Sequence, residues 1–423
     1  MKTFCGQNCS LCYLERKDHY TTQHQTMKKI ILLFLYILPL LSGSLHAQTL
    51  FWDSPDAYLG QNPPGSIPKI FARGMLADSP YFSANRAAFS ADGKEFYYCY
   101  NLNWANKVYL KIKYFRYEDG KWKGPVILNE HYFAPTLSMD DKTLYFDGEG
   151  ANIWCSHRKD TGWSEPARFL EPIAFYDFVP TISGTMYGAS GSFIGAEKKP
   201  NNVDVCTLSI SGSDTSIQSL GVPINSPGWN GDFFVARDES FIILSANETP
   251  SFECELYISY HKPGNTWTNP KSLGPMINKG LAHRYGQYVT NDNKFLFYCY
   301  GTSEKDCAIY WVRFDKLFDS LKHTNFDPYV LNSIPDQTVL VNKKFTIQIP
   351  EKAFVDDDGA NTLRYTAHLT GGDPLPSWLH FDPAKKIIFG SGAAEGKYNI
   401  TVTATDTKGA RAQCVFALTL AKS

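Results

Sequence analysis

The chain has 423 residues, a formal net charge of −1, and 43% hydrophobic and 15% aromatic side chains. That length supports two or three domains with well-buried cores. Its lysines and arginines are scattered without a basic stripe, which removes the electrostatic case for nucleic-acid binding.

Residues 1–26 contain Cys5, Cys9 and Cys12, a C-x3-C-x2-C spacing that resembles the iron–sulfur loop of radical S-adenosylmethionine enzymes. Such a cluster needs a reduced compartment and an α/β barrel, and neither pattern follows. Met27 opens a stretch with the three parts of a secretory signal: Lys28 and Lys29, the apolar run Ile30 to Leu41, and small residues ending at Ala47. Translation is therefore expected to start at Met27, leaving residues 1–26 as an upstream start-site artefact and 27–47 as the signal peptide. The apolar run is too short to favour a membrane span, and no Cys follows it to carry a lipid. The expected location is exported: periplasm, cell surface or extracellular.

Residues 48–324 form the next expected domain. A loop-rich lead-in holds Pro63-Pro64-Gly65 and Pro68, and then a unit of roughly 45–55 residues recurs five times. Its anchors are Ser90, Ser138, Ser183, Ala236 and Thr290. Four copies place an Asp two residues on (Asp92, Asp140, Asp238, Asp292), followed by short apolar runs at Phe96–Tyr98, Leu144–Phe146, Phe241–Leu244 and Phe295–Tyr298; the third reads Gly184-Thr185 instead. Three copies end in Gly-Trp-Pro patterns centred on Trp122, Trp163 and Trp267. Turn chemistry and several short strands per unit, at a period near 50, predict the blades of a β-propeller. The fifth unit shows three strands, Gln287–Thr290, Phe295–Tyr300 and Ala308–Phe314, and lacks a fourth. Lys69–Leu76 is expected to supply it, closing the ring and covering a sheet edge; a sixth blade built from the lead-in is the alternative. Seven cysteines follow the signal, an odd number, and the matched pairs Cys254/Cys307 and Cys155/Cys206 read as small buried hydrophobes rather than disulfides.

Near Asn325 the repeat stops. Residues 325–423 show alternating strands at Lys344–Ile349, Leu363–His368, Lys386–Phe389, Tyr398–Ala404 and Gln413–Leu420, the density of a small β-sandwich. The expected fold is thus all-β: a five-bladed (alternatively six-bladed) propeller followed by an Ig-like or cadherin-like sandwich.

The Phe-Ser-x-Asp-Gly-Lys opening at Phe89–Lys94, repeated loosely at Leu137–Lys142, resembles the WD40-like, TolB-type propeller repeats of exported Gram-negative proteins. The C-terminal domain resembles a dystroglycan-type cadherin-like, or "putative Ig", module through Ile334-Pro335-Asp336-Gln337, Phe354 to Asp358, Leu375 to Leu379, Phe381-Asp382 and Thr403 to Asp406. Its usual turn after the Trp segment survives only as Gly390-Ser391-Gly392. Propellers host scaffolds, binding proteins, hydrolases and lyases, so the resemblance implies fold alone.

Two places carry chemistry. Asp356-Asp357-Asp358-Gly359 with Asn361 sets alternate carboxylates on a turn, the hard oxygen ligands that calcium prefers. The cadherin resemblance implies Asp356, Asp358 and Asp406 as the metal ligands, although the Glu and linker Asn-Asp pair of full cadherin sites are missing. In the propeller, the stretch preceding each innermost strand carries Arg86, His131, Asp177, Asp232 and Arg284. These charges either bind a small polar or sugar ligand at the channel mouth or close the channel as inter-blade ion pairs. No Gly-x-Ser-x-Gly elbow, His-Glu-x-x-His or phosphate loop is present. Glycosidases on such propellers need two placed carboxylates, and Asp177 and Asp232 are the pair to nominate. The expected role is a binding or scaffolding protein for a protein or glycan ligand, peripherally associated with the outer membrane or cell surface. A carbohydrate-active hydrolase or lyase is the alternative.

Overall fold

The computed structural model describes residues 51–422 except 80, 83–84, 102–109, 149–151, 171–174, 192–202, 212–213, 226–231, 248, 250, 252, 304 and 360–361. The start-site and signal segments and Asn361 lie outside the described residues.

Each repeat becomes one antiparallel sheet of four or five strands. The first runs Ala87–Phe89, Glu95–Tyr100, Lys111–Glu118, Lys121–Glu130; the second Phe133–Leu137, Thr143–Gly148, Asn152–Lys159, with Gly162–Trp163 and Ala167–Arg168 at its edge. The third runs Phe175–Pro180, Met186–Gly191, Val203–Ser211, Asp214–Ser219; the fourth Phe233–Val235, Phe241–Ala246, Glu255–Lys262, edged by Thr266–Trp267 and Lys271–Ser272. The fifth orders Lys69–Ile70, Ala308–Arg313, Phe295–Gly301, His283–Val289, so a strand from the lead-in completes it, as the sequence suggested. Innermost strands touch from sheet to sheet and the fifth touches the first, giving propeller-like blades around one axis.

The recurrent Ser-x-Asp explains the turn between the first two strands. Ser90 Oγ donates to Asp92 Oδ1 (2.7 Å), which also accepts the Lys94 N–H (3.0 Å), while Ser90 Oγ accepts the Glu95 N–H (2.9 Å). Ser138/Asp140 and Thr290/Asp292 repeat this arrangement, a side-chain substitute for backbone turn bonds. The third copy departs from the expected register: Thr181, not Ser183, is the anchor, since its N–H bonds Thr185 O. Ser183 stands where the other copies have Asp, and its Oγ accepts the Thr185 N–H at 3.1 Å. Loss of one residue from this turn hid the match.

Four residues before four of the five anchors the backbone of the innermost segment turns left-handed. Arg86, Ala134, Asp177 and Gly286 there have φ of 41°, 51°, 55° and 60°, with pairing shifts in the second, third and fifth sheets. Only Gly fits in the fifth, because a Cβ at Gly286 would sit 2.4 Å from the Arg86 nitrogen.

Two of the three motif tryptophans latch sheets to their neighbours, and Trp122 instead donates to Asp56 O of the lead-in at 2.7 Å. Trp163 Nε1 donates to Tyr97 Oη (3.2 Å), and the Arg158 guanidinium lies 4.4 Å over the indole while forking onto Glu95 at 3.0 and 2.6 Å. Trp267 is buried in the core shared by the third and fourth sheets. All seven cysteines among the described residues are free and buried.

The C-terminal domain is a sandwich of a four-stranded sheet (Gln337–Leu340, Arg411–Ala421, Gly396–Thr405, Arg364–Leu369) and a three-stranded one (Phe345–Gln348, Ile387–Gly390, Leu379–Asp382). Ile347, Phe354, Leu379, Ile388, Ile400, Val402, Phe416 and Leu418 fill the space between them. The Gly390-Ser391-Gly392 turn has a steric cause: Cβ atoms at Gly390 and Gly392 would lie 2.3 Å from Trp378 O and 2.2 Å from Leu420 Cδ2.

Candidate functional site

Arg86 sits on the axis with 2% of its surface exposed. Its guanidinium donates to Thr136 Oγ1 of the second sheet (3.1 Å), Phe178 O of the third (3.4 Å) and Phe233 O of the fourth (2.8 Å), and pairs with Asp177 at 3.2 Å. The side chain thus joins its own sheet to the next three, while Gly286 of the fifth sheet lies against the Arg86 backbone.

Nine residues past the anchors, on the second strands, stand Cys99, Asp147, Ser245 and Cys299, all buried. Asp147 is the one carboxyl among them, and its Oδ2 accepts the Asp177 N–H at 3.0 Å. Burial, and then the Asp177 carboxylate, push the Asp147 pKa well above the usual carboxylate range. Asp147 was overlooked because the sequence reading considered only the innermost strands. Aligning the copies on their anchors exposes it as the acid among Cys, Ser and Cys.

The other predicted residues lie elsewhere. Asp232 is half-buried beside this cluster, with its carbonyl on the Ser245 N–H. His131 is exposed just after the outer strand of the first sheet, three residues before the axial Ala134. Arg284 is buried two residues before Gly286. There it clamps a loop, donating to the carbonyls of Ile277, Cys254, Ala282, Lys279 and Gly280 at 2.6–3.3 Å. The structure therefore joins Arg86 and Asp177, sets Asp232 nearby, and places His131 and Arg284 apart from them.

Beyond Arg86 the channel holds a cavity of about 50 Å³ lined by Thr136, Pro180, Phe234, Tyr288 and Arg237. Arg237 crosses it to Met139 O at 2.8 Å. Such a volume suits a few waters, far below the several hundred Å³ of small-molecule pockets.

The acidic turn of the sandwich has other partners. Asp356 accepts from the Asp358 N–H (2.9 Å) and Thr362 Oγ1 (2.7 Å), and Asp358 from the Phe326 N–H (2.6 Å). Asp406 accepts from Asn325 Nδ2 (2.8 Å) and the N–H groups of Lys408 and Ala410. Among the described residues no three acidic, His or Cys side chains converge as a metal site requires.

Residues 328–421 match the family model described as "Putative Ig domain". The C-terminal segment is thus an Ig-like module. No curated protein matches the chain. Among solved structures, a "putative alpha-galactosidase" from Bacteroides fragilis is 19% identical over 22% of this chain and 18% of its own, with a TM-score of 0.18. The extracellular domain of a "putative hybrid two component system" from B. thetaiotaomicron is 10% identical over 80% and 44%, with a TM-score of 0.33. TolB from Acinetobacter baumannii is 14% identical over 55% of both chains, with a TM-score of 0.31. The chain spans under a fifth of the first of these and under half of the second.

Proposed function

We propose that the protein is an exported binding or scaffolding protein: a five-bladed β-propeller that presents its surface to a protein or glycan partner, carrying the Ig-like module as a spacer or adhesion unit. The observation that carries this reading is the filled axis. Arg86 spends its guanidinium on three neighbouring sheets and Asp177, and among the described residues the cavity beside it, about 50 Å³, is too small for a sugar. An enzyme site at this position would instead keep its charged groups available around a pocket. Export rests on the Met27–Ala47 signal pattern.

A carbohydrate-active hydrolase or lyase is the second reading, and the Asp147–Asp177 contact favours it. Burial raises the Asp147 pKa while Asp177 beside it pairs with Arg86, and two carboxyls in contrasting surroundings are the usual setting for an acid and a base. A polysaccharide-turnover screen of the wild type and the Asp147→Asn/Asp177→Asn double variant separates the two. The expected result is no turnover by either protein. Turnover by the wild type that disappears in the variant, with the fold retained by circular dichroism, would overturn the scaffold reading.

A further inference from the structure

The residues joining the propeller-like sheets to the Ig-like module are hydrogen-bonded on both sides. The helix Asp315–Lys322 leaves the fifth sheet and lies against the fourth, where Phe318 meets Phe241 and Tyr260 with ring centres 5.0 and 5.3 Å apart. Tyr260 Oη donates to Phe318 O at 2.9 Å. Lys271, on the edge strand of the fourth sheet, donates to Leu321 O (2.8 Å) and Thr324 O (2.6 Å), capping the negative end of that helix. Its ammonium sits 3.1 Å from the ring centre of Phe326, a buried linker residue.

The acidic turn then grips the same sheet. The Asp357 side chain is 2% exposed, pairs with Lys262 Nζ and accepts the Asn269 N–H at 2.5 Å. Asn269 Nδ2 donates to Asp327 O (2.9 Å), Asp358 holds the Phe326 N–H, and Asp406 holds Asn325. A carboxylate buried as deeply as Asp357 persists only with a compensating cation and hydrogen bonds, and the fourth sheet supplies both.

We infer that Lys262 acts as a built-in cation for this acidic turn while Lys271 clamps the linker helix and Phe326, the two together fixing the Ig-like module to the propeller as one rigid body without any divalent metal. The two lysines come from the sheet itself, so the junction is permanent where an ion-filled one would open as the ion left. The module then projects in one fixed direction, and a partner meets both surfaces in a set relation.

The test is chymotryptic cleavage after Phe326 in the full chain, mapped by mass spectrometry, with calcium and with chelator. The wild type should resist cleavage equally in both. Lys271→Gln and Lys262→Met should each accelerate cleavage about tenfold or more, since local opening of the linker governs access. The charge-swapped Lys262→Asp/Asp357→Lys chain should regain protection relative to Lys262→Asp alone, which separates a broken ion pair from misfolding. Calcium-dependent protection of the wild type, or wild-type cleavage rates in both single variants, would overturn the inference.

Discussion

Glu95 and Asp147 are both buried carboxyls in neighbouring sheets, and their surroundings drive them in opposite directions. Burial alone would raise the Glu95 pKa, but the forked Arg158, with Tyr97 and Arg116, holds it below its ordinary value. Its pairing therefore stabilises the fold above the unfolded pKa near about 4.3 and is lost as pH falls through the lower folded value. Glu95→Gln should lower stability at neutral pH by about 2 kcal/mol and flatten its acid dependence, measured by urea unfolding from acid to neutral pH. Asp147 does the reverse. Burial raises its pKa, so the native state keeps a proton that the unfolded chain releases, and its contribution falls as pH climbs above about 4. Asp147→Asn keeps an acceptor for the Asp177 N–H and removes the titration. Melting temperatures of this variant should decline less than the wild type's from pH 5 to pH 8; equal declines would show that Asp147 does not control the axis.

At the scale of elements, the sequence made strands legible where turn chemistry marked their ends. Ser90-x-Asp92 and its relatives announced the first hairpin of each sheet, because the residues that make the turn also make its hydrogen bonds. The third copy was misregistered because Thr181 and Ser183 do the same work with hydroxyls alone. In the sandwich, Gln337–Leu340 and Leu379–Asp382 were missed as strands. Each is four residues long, the shortest run over which an alternation can be recognised. The closing strand was found from a deficit in the fifth repeat. Its importance shows in Phe71, just past Lys69–Ile70: 1% exposed, with ring centres 4.9–6.3 Å from Phe297, Trp311, Phe96 and Phe89. Phe71→Ala should cost about 3–5 kcal/mol and raise amide exchange in Ala308–Arg313 more than in the third sheet. Uniform exchange would show that the strand closes nothing.

For the whole molecule, the sequence could locate the charges but not their partners. Asp357 lies almost a hundred residues from Lys262, and an acidic turn facing lysines reads the same as one facing a metal. Arg86 likewise gave no sign that its bonds would reach three other sheets. Both cases depend on distant segments meeting, which repeat period and local pattern do not encode. The recurrent features, by contrast, were read correctly as architecture: Trp163 and Trp267 latch sheets, Trp122 holds the lead-in at Asp56, and the cysteines among the described residues are buried and unpaired.

Pairing of Lys69–Ile70 with Tyr310 and Trp311 also constrains how the chain is made. The two halves of that sheet are separated by about 240 residues, so the first strand to leave the ribosome is among the last to find its place. Until the fifth repeat has followed, the nascent ring has two open ends and an apolar segment around Phe71 with nothing to cover it. A chain interrupted before Trp311 would be left in that state, giving a chaperone or protease a point at which to tell incomplete copies from finished ones.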